Sequence, residues 1–134
     1  LYQGKYNLFN REPEEEGILR QAKENGTGFI AFSPLAQGLL TNRYLNGIPE
    51  DSRMARGGFL KKEQLTEDVL SKIKALNKMA EERGQTLAEM ALAWVLKDDL
   101  VTSVIIGASS VAQLEDNLKA IRNTSFTKEE LRRL

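Results

Sequence analysis

The chain has 134 residues, 41% hydrophobic and 28% charged, which is the balance of a single globular domain with length enough for a real core. Its 19 basic and 19 acidic residues cancel, so no overall field draws it onto nucleic acid or an anionic membrane, and a small molecule is the default partner. The absence of cysteine and histidine removes disulfides, thiolate chemistry and the commonest general base and metal ligand; no metal site is expected, and the composition suits a reducing cytoplasm.

The opening "LYQGKYNLF" carries alternating bulky residues and predicts a strand near 1–6. Pro13 followed by Glu14, Glu15 and Glu16 predicts a helix start, with acids against the positive end of the dipole. Ile18, Leu19 and Ala22 give that same helix a thin apolar face, and "NG" at 25–26 ends it. "GFIAFS" is a second short apolar run, near 28–33, whose exit Pro34 is expected to hold extended. Gly26, Gly28 and Ala31 match the spacing of a dinucleotide fingerprint, but they close a helix and enter a strand, the reverse of what that motif needs.

From Gln37 to about Thr66 the sequence is irregular and glycine-rich, a length of loop that in a compact domain is functional or disordered. Val69, Ile73, Leu76 and Ala80 then mark a helix closing at Gly84, and Thr86 with Glu89 caps a second, "LAEMALAWVL", apolar on most sides and therefore buried. Its apolar stretch is far too short to span a bilayer, and "LYQGKYN" is no signal peptide. Val104, Ile105 and Ile106 predict a third strand near 102–106, and Val111, Leu114, Leu118 and Ile121 recur at helical intervals beyond it. "FTKEELRRL" is one last helical pattern. The alternation argues for parallel strands joined by right-handed crossovers with helices outside. Three strands are few for five helices and a thirty-residue loop, so the chain is expected to be a piece of a larger α/β fold.

In such folds ligands sit beyond the carboxyl ends of the strands, which directs attention to "YNLFNR", "FSPLAQG" and "GASS". Phe32 either lies flat against a ring or belongs to the core. Ser110 with Gln113 fits a reciprocal capping box; the same bare junction, with unpaired N–H groups and small residues, suits a phosphate. Gln113, Asp116 and Asn117 share one helix face, either to read a sugar or base edge or as the solvated side of an amphipathic helix. Arg43, Arg53, Arg56, Lys61 and Lys62 in the long loop match phosphate chemistry, although Glu50, Asp51 and Glu63 are interleaved with them, as in an ordinary solvated loop.

Taken together, "QGKYNLFNR", "GFIAFSPLAQGLLTNRYLNGIPEDSR" and "TSVIIGASSVAQLEDN" resemble the aldo-keto reductases, in particular the branch of potassium-channel β-subunits and glyceraldehyde-phosphate-type reductases. The resemblance covers almost the whole chain, residues 1–134 being similar to the C-terminal three β/α units of a (β/α)8 TIM barrel. It implies an oxidoreductase that reduces aldehydes or ketones with NADP(H), NAD(H) being the weaker candidate. By position, Phe32 corresponds to the aromatic that stacks on the nicotinamide, and Gln3 to a strand-end residue near the carboxamide. Ser33, Leu35 and Gln37 correspond to the loop along the pyrophosphate, and Arg43 and Arg53 to the coenzyme-clasping loop. Gly107, Ser109, Gln113, Asp116 and Asn117 correspond to the site for the adenosine phosphate and adenine. Many relatives carry arginine where Gln113 stands, a departure that bears on coenzyme choice. The family's proton-donating tyrosine and its supporting lysine, aspartate and histidine come from earlier strands, so no catalytic residue is expected here; Tyr2, Tyr6 and Tyr44 stand in other contexts. The partners implied are a carbonyl substrate, the remainder of the barrel and a second copy of the chain, with no membrane insertion. A channel-associated regulatory module that binds the coenzyme, and an inactive structural half-barrel, are the two alternative functions.

Overall fold

The computed structural model describes residues 1–41 and 66–134. Three parallel strands, β1 (Tyr2–Lys5), β2 (Phe29–Phe32) and β3 (Ser103–Val104), form one sheet in the order β1-β2-β3. All three predicted strands are present and parallel, each shorter than its predicted span. Between β1 and β2 lie α1 (Glu12–Glu15) and α2 (Ile18–Glu24). The single helix expected there is two, because Gly17 takes a left-handed φ of 76° and caps α2 from outside the helical path. A short 3-10 turn (Ala36–Gly38) follows β2. α3 (Glu67–Glu82) and α4 (Leu87–Val95) precede β3, and α5 (Val111–Leu118), a 3-10 turn (Lys119–Arg122) and α6 (Lys128–Arg133) follow it.

Threonine and serine side chains start four of these helices. Thr66, Thr86, Ser110 and Thr127 each accept a hydrogen bond from the backbone N–H three residues on, and Thr127 with Glu130 completes a capping box. Every residue of α4 except Glu89 is buried, as its composition predicts.

Among the described residues, the helices cover one face of the sheet. Gly4, Tyr6, Phe29 and Ala31 point to the helices, where Phe29, Tyr6 and Trp94 build an aromatic core: Tyr6 and Trp94 lie 5.0 Å apart, and Tyr6 meets Phe29 edge-on at 6.4 Å. Gln3, Lys5, Ser103 and Ile105 stand on the opposite face, exposed, with Ile30 and Phe32 half-buried among them. A second apolar cluster of Leu39, Ile73, Met79, Ala80, Leu87 and Met90 joins α3 and α4 to the turn after β2.

Arg83 ties the C-terminal elements down. Its side chain, 5% exposed, donates to Glu130 Oε2 at 2.8 Å, the Ser125 carbonyl at 3.0 Å and Gln85 Oε1 at 2.8 Å, and its guanidinium lies 3.8 Å from the Phe126 ring centre. Arg11 reaches 2.7 Å to the Leu134 carbonyl, fastening the same end to the loop after β1.

Candidate functional site

Because the strands are parallel, the segments that leave their carboxyl ends gather on one side of the sheet. On the face away from the helices Gln3 pairs with Ile30 and Lys5 with Phe32, so Gln3 and Phe32 are diagonal neighbours, Gln3 exposed and Phe32 half-buried. Both are placed where a flat ring could lie on the sheet.

The exit from β2 differs from the extended one that Pro34 led us to expect. Ser33 has a φ of 52°, and Ala36 and Gln37 follow at 49° and 58°, three non-glycine residues in the left-handed region within five positions. Each such residue costs about 1–2 kcal/mol unless its surroundings hold it. Here the Ser33 carbonyl accepts from the Ala36 N–H at 3.1 Å and from Asn7 Nδ2 at 2.9 Å, and the Leu35 carbonyl accepts from Gly38 and Leu40. Hydrogen bonding thus outweighs the proline's preference and curls the segment carrying Ser33, Leu35 and Gln37 into a compact turn. An open cleft of about 640 Å³ borders it, lined among others by Lys5, Asn7, Phe9, Arg11 and Gln37.

At the start of α5, Ser110 Oγ accepts from the Gln113 N–H at 3.1 Å, the predicted cap. The reciprocal half of the predicted box is displaced by one residue. Gln113 Oε1 accepts from the Ser109 N–H at 2.6 Å and from the Ser109 hydroxyl at 2.9 Å, so it closes on Ser109 and leaves the Ser110 N–H aside. Apart from its chain neighbours, Gly107 has no atom of the described residues within 4 Å of where a side chain would begin.

Below this junction lies a cleft of about 260 Å³, to which Ser109, Gln113, Asp116 and Asn117 all contribute, together with Thr41 and Thr86. Asp116 Oδ2 accepts from the Thr86 hydroxyl at 3.1 Å, which ties α5 to the start of α4. Burial and the Asp116 carboxylate beside it push the Glu89 carboxyl above its usual range. Asn117 is 4% exposed, and its Nδ2 has no hydrogen-bond partner among the described residues. A solvated helix face does not bury an amide, so that alternative fails for Asn117; an unpaired buried amide calls for an acceptor.

Of the predicted site residues, the structure thus brings Ser109, Gln113, Asp116 and Asn117 to one cleft wall, sets Gly107 just ahead of it, places Ser33, Leu35 and Gln37 in one turn, and puts Gln3 and Phe32 on one sheet face. Arg43 and Arg53 lie outside the described residues. Sequence reasoning missed Asn7, Thr41 and Thr86. Thr86 was legible only as a cap, and Asn7 carried the signal of an Asx turn, an asparagine directly after a strand. Tyr6 is a core phenol on the helix side: Lys97 Nζ donates to its hydroxyl at 3.2 Å, and burial holds that hydroxyl protonated. Among the described residues no group of three or more acidic residues is placed to hold a metal, and no helix is long and apolar enough to cross a membrane.

A parallel α/β unit with clefts beside its strand ends defines a class, and comparison with known proteins narrows it. The sequence model of the Aldo/keto reductase family matches residues 1–134, and the chain belongs to that family. It is 53% identical over 135 residues to the L-glyceraldehyde 3-phosphate reductase of Escherichia coli O157:H7, covering 98% of this chain and 39% of that protein. A probable voltage-gated potassium channel subunit beta of Arabidopsis thaliana is 41% identical over 122 residues, covering 89% of this chain and 37% of the relative. Among solved structures, the glycerol dehydrogenase of Gluconobacter oxydans superposes with a TM-score of 0.76 at 29% identity, over 97% of this chain and 39% of that one. The chain therefore spans about two fifths of the length of the relatives it matches. Its fold, three parallel strands with helices between them, is that of part of the (β/α)8 barrel of the solved aldo-keto reductases it matches, as the resemblance implied.

Proposed function

We propose that residues 1–134 are the C-terminal, coenzyme-binding portion of an NADP(H)-dependent reductase of aldehydes or ketones. The observation that carries this reading is the buried Asn117 amide, without an acceptor among the described residues, on the wall of a cleft shared with Ser109, Gln113 and Asp116. A cleft whose wall holds an unsatisfied amide, a carboxylate and hydroxyls suits the adenosine end of a dinucleotide, which offers ring nitrogens and sugar hydroxyls. Ser109 and the backbone from Gly107 would receive the ribose phosphate. The turn at Ser33–Gln37 would lie along the pyrophosphate, with Phe32 and Gln3 against the nicotinamide, and Arg43 and Arg53 are proposed to close over the phosphates. The bound coenzyme would supply the hydride.

What these residues contribute is binding and orientation. Proton donation to the carbonyl oxygen is assigned to side chains outside the chain, because the resemblance matches none of the family's proton-donating motifs here and Tyr6 is buried in the core. The chain alone is accordingly expected not to turn over. A channel-associated module binding the same coenzyme is the second reading, favoured by the potassium channel subunit beta among the relatives.

The test is to titrate NADPH and NADH against the full polypeptide that carries these residues, and against its Asn117→Ala variant. Loss of one hydrogen-bonding group from a buried site is expected to weaken both coenzymes by about tenfold. Equal affinity of the folded variant for both would refute the placement of the adenosine end. Aldehyde-dependent NADPH oxidation by the full polypeptide separates the reductase from the regulatory module.

A further inference from the structure

We propose that Asn7 is the positioning residue of the proposed pyrophosphate turn, holding the left-handed backbone at Ser33 so that a dinucleotide meets a preformed surface. This rests on the coenzyme reading above and deepens it.

Asn7 is 1% exposed, one of two buried polar side chains among the described residues. Its Oδ1 accepts from the Phe9 N–H at 2.8 Å and the Asn10 N–H at 2.9 Å, which shapes the turn after β1. Its Nδ2 reaches across to the Ser33 carbonyl at 2.9 Å, 26 residues away in sequence. The last backbone bond of the β1–β2 ladder, from the Tyr6 N–H to the Phe32 carbonyl, is long at 3.4 Å. The Asn7 amide thus continues the pairing one residue beyond the strands, at the point where β2 turns left-handed. A residue ahead of proline favours extended backbone, and Ser33 has neither that conformation nor the freedom of glycine. Among the described residues, the side chain that reaches the Ser33 backbone from another element is the Asn7 amide. Ala36 and Gln37 lie downstream in the same turn, so the direction of the whole segment is fixed at Ser33. Preformed backbone spares the ligand the ordering of the loop, and this links a buried amide to affinity without its touching the ligand.

Asn7→Asp in the full polypeptide keeps the acceptor toward residues 9 and 10 and sets an oxygen against the Ser33 carbonyl. The expected result is a weakening of about tenfold for both NADPH and NADH, with adenosine 2′,5′-bisphosphate, which has no pyrophosphate bridge, bound as before. In a Ser33→Gly background, where the left-handed conformation needs no holding, the Asn7→Asp effect is expected to shrink below about threefold. Asn7→Ser, whose hydroxyl can serve residues 9 and 10 but is too short for Ser33, tests the same contact should the aspartate variant not fold. Undiminished dinucleotide affinity overturns the proposal. So does an equal loss for all three ligands, or an Asn7→Asp effect that glycine leaves unchanged, since each marks a merely structural role. A wild-type protein that binds neither dinucleotide overturns the coenzyme reading itself and this inference with it.

Discussion

Replacing Arg83 with methionine should release the C-terminal segment while leaving the helices beneath it in place. Methionine keeps the stem against Phe126 and removes the guanidinium, which donates to Glu130, Ser125 and Gln85 at 2.8–3.0 Å and to Asn123 at 3.4 Å. A hydrogen bond to a charged group is worth about 1.5–3 kcal/mol when its partner stays dry. Here Asn123 and Ser125 are exposed and Glu130 is 22% exposed, so the abandoned acceptors regain water. The set as a whole then contributes about 2–3 kcal/mol, the scale of one well-made contact rather than four. α6 has only six residues and does not persist as an isolated helix, so the loss appears as local opening. Native-state hydrogen exchange reads it directly at Leu131 and Leu134, whose N–H groups donate to Thr127 and Glu130. Their exchange should quicken by about 30- to 150-fold while the interior amides of α3 and α4 stay protected. Unchanged protection in α6, or a uniform loss across the chain, would refute the latch.

The same segment should respond to acid. The Thr127 N–H and the Arg83 guanidinium hold the Glu130 carboxyl below its usual range. The stability it gives is therefore complete above the ordinary glutamate pKa and lost as pH falls through the lowered value; NMR shifts of α6 should follow that loss, and Glu130→Gln should abolish it. Glu89 has the opposite sign: burial and Asp116 penalise its ionised form, so Glu89→Gln should raise the denaturation midpoint at pH 7 and change little near pH 4, and a variant no more stable at pH 7 would contradict this. Gly4→Ala would set a methyl 2.9 Å from Phe29 Cζ inside the aromatic core and should cost about 1–3 kcal/mol in urea denaturation. Gly28→Ala meets the flexible end of Leu1 at the same 2.9 Å and should cost distinctly less, a ranking that reversed midpoints would overturn.

What the sequence carries legibly is whatever one periodicity or one cap decides. β1 follows from alternating bulky residues and β2 and β3 from short apolar runs, α4 and α5 from hydroxyl caps whose hydrogen bonds form, and α3 and α6 from their helical patterns. Ser109, Gln113, Asp116 and Asn117 meet because residues three, four and seven apart share a helix face. The features that escape a linear reading depend on contacts distant in sequence. Ser33 is left-handed because of Asn7, 26 residues earlier, and Asp116 is tied by Thr86, 30 residues earlier. The break between α1 and α2 is local, yet the acidic run and apolar spacing of residues 13–22 mask Gly17, whose φ of 76° ends one helix and begins the next.

α5 shows where a correct pattern needs a wider context. Val111, Leu114, Leu118 and Ile121 form the apolar stripe that the sequence predicts, yet they are 72%, 41%, 54% and 69% exposed, while Asn117 and Ala120 are the residues packed inward. A helix and the turn after it that bury an amide and expose four aliphatic side chains leave apolar area uncovered, and full burial of such a side chain is worth at most about 1.5–3 kcal/mol. The sheet face away from the described helices, with Gln3, Lys5, Phe32 and Ile105, makes the same demand for cover from the other side. In the reading proposed above both demands have one answer: the remaining β/α units of the barrel pack against the α5 stripe and close the sheet. That closure would also turn the strand ends into the rim of a shared site, leaving Asn117 between two packed surfaces and facing the cleft that the coenzyme would fill.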